Sequence, residues 1–325
     1  MKNIVFITLA ALFVLTGCST KNLYKPLKEV KTSKKYDGSF DSKIIRINSE
    51  AAIFEDTKIL LRDNRQLQLE NGSFVSVSGE YTITNSNNMI VLQKQDEKIA
   101  IPSKSKILSA SIEGDYLAVV SEQNSFKIYD TTTQEMVFFS QGGKALAIDN
   151  RVAKPYFYSG LVFFPTLDGK VKIVQLDTKK EIRDIVVDTA KEFANIIYLS
   201  VVDNTMVIAS RNILKTLHNE NINTKKATIK EVIVDESSIY LIGKNGQISK
   251  LDLSLLEQKS VKFKFARFVA VGFKEKIYLV EKQGYFIELD KELESSSVSK
   301  LPDAVEEKSF VSEDKIIIGS HYIQY

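Results

Sequence analysis

Residues 268–290 read FVAVGFKEKIYLVEKQGYFIELD. Three short apolar runs, FVAV, IYLV and YFIEL, are separated by a polar break and by Gln283-Gly284, and the third run ends on Asp290. Runs of this length between turn residues read as strands, and tight turns between them make a meander. The middle run is apolar at consecutive positions, so both of its faces need cover, as in a sheet packed between two others. A flat sandwich would alternate more cleanly.

Working outward, the same unit recurs. Asp168-Gly169 and Asn245-Gly246 occupy the place of Gln283-Gly284, and both pairs accept the positive φ that a two-residue hairpin needs. Asp130, Asp177, Asp252 and Asp290 close third runs, where a carboxylate can bond its own downstream backbone. An outer fourth run follows several of these, at 136–139, 182–187, 261–265 and 298–301. From Tyr116 onward the second runs repeat at about 35 to 45 residues, the period of a four-stranded propeller blade. First runs are expected at 51–54, 74–77, 108–112, 145–148, 198–202, 231–234, 268–271 and 309–311. The expected fold is an all-β propeller of seven or eight four-stranded blades, with eight preferred. The last repeat lacks a fourth strand, and residues 42–47 (SKIIRI) form an orphan run that can supply it, so the ring is expected to close by an N-terminal strand. Residues 189–196 (TAKEFANI) are weighed evenly as a short helix.

Composition bounds the rest. The 325 residues are 44% apolar and 26% charged, which is globular, and the length supports an ordinary core. A net charge of +3 implies no strong pull on a polyanion, so no nucleic-acid partner is expected. One cysteine excludes an intrachain disulfide, and two histidines leave little for zinc or triad chemistry. His218 lies in a polar turn and His321 at the start of the last strand, and both are read as structural. Phosphate loops, calcium loops and nucleophile elbows do not occur as sequence motifs. No catalytic residue, metal ligand or cofactor is therefore assigned.

The N-terminus supplies an address. Lys2 precedes an apolar run over residues 4–15, too short to cross a hydrocarbon core and suited to a signal peptide over residues 1–17. It ends in Leu15-Thr16-Gly17-Cys18. These four residues resemble the lipobox of bacterial lipoproteins. The resemblance implies signal-peptidase recognition of Leu15, Thr16 and Gly17, and lipid attachment at Cys18, which would anchor the chain stably. Ser19, rather than Asp, after the cysteine implies outer-membrane sorting, in a Gram-negative cell and facing the periplasm. Residues 18–42 carry Lys21, Lys25, Lys28, Lys31, Lys34 and Lys35 among polar residues and read as a flexible tether before a propeller over 43–325.

A repeat of this kind behind a lipobox resembles the bacterial β-propeller lipoproteins with WD40-like or quinoprotein-like repeats, the BamB lipoproteins of outer-membrane assembly among them. The chain lacks the Trp-bearing docking motif of the quinoprotein group and the Gly-His and Trp-Asp pairs of WD40 repeats, so no binding residue carries over. The resemblance implies a non-enzymatic scaffold with a protein partner of the envelope. A ligand-binding or hydrolytic propeller, or an accessory of a periplasmic redox system, are the competing expectations. Tyr156, Phe157 and Tyr158 are the candidate partner contact. Read as a loop inserted between two strands, three adjacent aromatics cannot share one sheet face, and loop aromatics are favoured at interaction sites.

Overall fold

The computed structural model describes residues 22–27, 30–69 and 71–325. Residues 15–18, which carry the lipobox reading, lie outside them. The described residues form thirty-two strands and no helix. The strands assemble into eight four-stranded antiparallel sheets. Seven sheets are consecutive meanders. The eighth combines Ser309–Val311, Lys315–Ile318 and His321–Gln324 with Gly38–Ser39 from the N-terminus. The protein is an eight-bladed β-propeller, closed by an N-terminal strand.

Blade 7 shows why its sequence reads as it does. Ile277 and Leu279 pack with Tyr240, Ile242 and Ile248 of blade 6. Tyr278 and Val280 pack with Ile316, Ile318 and Ile323 of blade 8. Successive side chains of one strand thus enter two different inter-blade cores, as the period of two requires. The turn between the second and third strands is the expected tight one. Gly284 sits at φ +81° with the Asp303 carbonyl 2.1 Å from where a Cβ would stand. Three of the four expected closing aspartates bond the downstream backbone as read. Asp130 accepts from the Thr132 and Thr133 amides, Asp252 from Ser254 and Leu256, and Asp290 from Glu294 and Ser295. The Ser254 and Ser295 hydroxyls, with these amides, hold Asp252 and Asp290 below the ordinary carboxylate range.

Several expectations shift. The run 42–47 is not the closing strand. Ile44–Ile47 is the inner strand of blade 1, so 51–54 is its second strand, and Gly38–Ser39 closes blade 8. A bulge at Ile45 breaks the strand's alternation, which makes it read as an orphan. Equivalent register breaks recur in the inner strands of blades 2, 3, 6 and 7, at Val75, Leu108, Lys230 and Val269. The inner strand of blade 4 is Tyr156–Tyr158, not 145–148. Residues 145–148 belong to a long crossing whose half-buried Ala145 and Ile148 pack between blades 3 and 4, while Leu146 is exposed. Residues 189–196 form a second crossing rather than a helix. The outer strands of blades 6 and 7 are Glu257–Lys262 and Ser296–Lys300, earlier than expected.

Described residues of the span expected as a tether over 18–42 are seated on the blades. Tyr24 is buried against Phe263 and Tyr285. Ser33 bridges Lys300 in parallel, with backbone bonds Lys34 N–H to Lys300 O and Lys300 N–H to Thr32 O, both 2.9 Å. Tyr36 stacks on His321 at 4.8 Å. The segment thus covers the outer edge of blade 7 before pairing with blade 8, and an edge left bare would invite other chains to pair.

Candidate functional site

Eight inner strands surround a central channel, and each leaves one backbone edge unpaired toward it. Buried backbone groups need partners, and neighbouring blades provide them. Asn48 donates to Val75 O at 3.0 Å, Ser76 to Ala110 O at 2.8 Å, and Ser111 to Pro155 O at 2.6 Å. Lys230 and Ser309 both donate to Val269 O at 3.0 Å. Arg151 bonds Lys230 O across blade 5. Three of these acceptors, Val75, Lys230 and Val269, are bulge residues, whose carbonyls fall out of the ladder.

One end of the channel is narrowed by crossings. Asp149 and Arg151 lie on the crossing into blade 4, and Asn195 on the crossing into blade 5 clamps them, donating to Asp149 O at 3.2 Å and Arg151 O at 2.8 Å. Burial works against the Asp149 charge, yet the Arg151 guanidinium at 2.6 Å holds its carboxyl below the usual range. Burial also pushes the Lys230 ammonium down, and burial with the Arg211 and Arg151 charges does the same at Lys244.

The other end opens into a cavity of about 990 Å³. Its lining combines turns that follow inner strands, at Glu50, Glu113, Lys274 and Glu313, with Glu231 inside the inner strand of blade 6, Lys154 just before that of blade 4 and Arg62 after the third strand of blade 1. It carries Glu50, Glu113, Glu231 and Glu313 against Arg62, Lys154 and Lys274, with Tyr156, Tyr198, Phe273 and Tyr325 on its wall. Glu50 is locked: its Oε2 accepts from Val77 N–H at 2.9 Å and its Oε1 meets Lys154 Nζ at 2.7 Å. Lys154 also donates to Val77 O at 3.0 Å. Burial raises the Tyr198 hydroxyl pKa. A roomy depression with a mixed-charge rim and aromatic walls suits a peptide or protein loop, since charge patterns set register and aromatics supply contact area. Among the described residues, no three His, Cys, Asp or Glu side chains converge as metal ligands would.

The aromatic triplet is placed differently from its reading. Tyr156, Phe157 and Tyr158 are an inner strand rather than an inserted loop. Tyr156 packs toward the core between blades 4 and 5, Phe157 toward that between blades 3 and 4, and both reach the cavity wall. Tyr158 is exposed at the strand end, with its hydroxyl bonded to Asn204. The histidines have structural partners: His218 Nδ1 bonds Thr205 Oγ1 at 3.0 Å, and His321 pairs with Ser39 at the closure. The rim carboxylates escaped sequence reading because they stand singly, Glu50, Glu113 and Glu313 at or just after the ends of inner strands and Glu231 within one. Only the repeat register, correctly placed, brings them to one ring.

No protein-family model matches the chain. Plasminogen-binding protein PgbB from two strains of Helicobacter pylori is 26% identical, in alignments that span the whole chain and 72% and 71% of those proteins. BamB from Moraxella catarrhalis superposes with a TM-score of 0.65 at 12% identity, covering 91% of this chain and all of that one. The fold is theirs. The C-terminal WD40 domain of Sif2 matches with a TM-score of 0.64 at 11% identity, over 92% of this chain and 99% of that domain. The WD40 likeness resides in the blades, since the Trp-Asp signature is absent from a chain without tryptophan.

Proposed function

We propose that this chain is a non-enzymatic, lipid-anchored propeller that faces the periplasm from the outer membrane and holds a protein partner in the open mouth of its channel. The observation that carries the reading is the cavity of about 990 Å³ ringed by Glu50, Arg62, Glu113, Lys154, Glu231, Lys274 and Glu313. The name of the Helicobacter relatives supports a protein as the partner, and it makes plasminogen the first candidate to try. The anchor rests on Leu15, Thr16, Gly17 and Cys18, whose pattern fits lipid attachment at Cys18. The structural employment of both histidines favours binding over hydrolysis.

A second reading, a scaffold in envelope assembly, is favoured by the fold shared with BamB. One experiment separates the two. The purified chain is titrated with plasminogen, and in parallel presented to solubilised outer-membrane assembly complexes. Saturable plasminogen binding supports the first partner, and stoichiometric retention of an assembly complex supports the second. Failure to retain either overturns the scaffold reading. Membrane fractionation of Cys18→Ser tests the anchor: association with the membrane should be lost, and unchanged fractionation refutes it.

A further inference from the structure

The N-terminal arm leaves the propeller from one particular face. Tyr24 is held between Phe263, where the crossing from blade 6 to blade 7 begins, and Tyr285, just after the Gly284 turn. Both belong to the face of crossings, opposite the open mouth. Cys18 is six residues before Tyr24, a span of about 20 Å at full extension. Any lipid on Cys18 therefore pulls on the crossing face.

The chemistry around Tyr24 suits a bilayer surface. Phe265 stands exposed at the tip of the crossing, at φ +67°, a conformation bulky residues rarely adopt. Lys264 lies over its ring at 5.1 Å, and Lys262 and Arg267 flank it, both exposed. On the arm, Leu23 is 55% exposed and Leu27 fully so, with Lys25 exposed between them. Lys282, at the adjoining turn, is exposed too. Among the described residues, the nearby carboxylates are Glu281, fully buried and accepting from the Arg267 and Gln283 amides, and the exposed Asp303 and Glu306. An aromatic and two leucines amid five cations match the interfacial region of an anionic membrane, where apolar side chains enter the headgroup boundary and lysines meet lipid phosphates.

We infer that the blade 6–7 crossing around Phe265, together with the arm at Leu23–Leu27, is a contact for an anionic lipid surface. It seats the propeller with its crossings toward the bilayer and its open mouth toward the aqueous side. The inference rests on the anchored reading above and adds an orientation to it. A mouth turned away from the bilayer is accessible to a soluble partner, which a mouth pressed on lipid is not.

The test uses the protein as isolated from membranes, placed on vesicles of phosphatidylcholine with or without phosphatidylglycerol. Asn245→Cys carries an environment-sensitive dye on the crossing face, and Ser254→Cys carries it on the opposite face. A headgroup-borne quencher should quench the first label at least threefold more than the second. The difference should shrink without phosphatidylglycerol, at high salt, and in the triple variant K262E/K264E/R267E. Equal quenching of both labels, or indifference to lipid charge, overturns the inference and would give this face to an acidic protein surface instead. Flotation of the same samples reports the anchor separately. Protein that floats without face-selective quenching refutes the orientation alone. Protein that fails to float, yet shows the selective quenching, refutes the anchor alone.

Discussion

Lys230 Nζ donates to the Val269 carbonyl at 3.0 Å, tying the inner strand of blade 6 to that of blade 7. Both residues sit at bulges, so the bond satisfies a carbonyl that the sheet cannot. Lys230 also offers its own carbonyl to Arg151. Lys230→Ala removes one of two donors to Val269 and should cost about 1–2 kcal/mol. Denaturant midpoints of the variant and of the wild type measure it, and an unchanged midpoint would mean the latch contributes nothing.

Gly284→Ala tests the hairpin geometry. The positive φ alone disfavours a side chain, and the Asp303 carbonyl at 2.1 Å from an ideal Cβ forces the crossing to move. A loss of roughly 1–3 kcal/mol is expected in thermal or chemical unfolding. Gly114→Ala is the control, since it shares a positive φ but meets nothing within 4 Å. Its cost should be visibly smaller.

Tyr24 predicts an alkaline transition of the arm. Burial, aided by the Glu281 and Tyr285 fields, pushes its hydroxyl up to about 12. The folded value lies above the ordinary 10, so the folded state keeps the proton longer than the unfolded chain does. The stabilisation is complete below pH 10 and is lost as pH rises toward 12. Tyrosinate absorbance at 295 nm should show late-titrating rings, Tyr325 being another at about 12. Tyr24→Phe should remove one of them. Tyr24→Ala should expose residues 22–36 to protease at neutral pH while the blades stay resistant.

Closure depends on a small residue. A Cβ on Gly38 would lie 2.4 Å from the Tyr322 hydroxyl, whose ring covers the closing strand. Gly38→Val should loosen the pairing of Gly38 with Tyr322 and of Ser39 with His321. Hydrogen exchange at the amides of 321–324 should rise several-fold, with blade 4 unchanged.

The blades were legible because hairpin glycines and closing aspartates act through local backbone chemistry. Gly169, Gly246 and Gly284 all take the positive φ that their turns predict, and Asp130, Asp252 and Asp290 all cap the next turn. Two strands were misplaced, for different reasons. Ile44–Ile47 lost its alternation at a bulge, and residues 145–148 are an apolar run in a crossing where Ala145 and Ile148 are half-buried and Leu146 is exposed. An apolar run here does not always mean a strand. The candidate site was scarcely legible. Glu50, Glu113, Glu231 and Glu313 are far apart in sequence, and only ring closure makes them neighbours. The arm was misread because polar composition and lysines say nothing about Tyr24, a single buried ring that pins it.

A protein partner held in the open mouth must meet the rim charges. The direct measurement is the affinity of the chain for plasminogen, or for a retained assembly complex, when rim charges are reversed. Glu113→Lys with Glu313→Lys should weaken binding at least tenfold, about 1.4 kcal/mol, with folding intact. Lys262→Glu with Lys264→Glu, on the opposite face, should leave the affinity within twofold. Equal affinity in wild type and rim variant, or a loss confined to the opposite-face variant, would mean that no partner binds in the mouth.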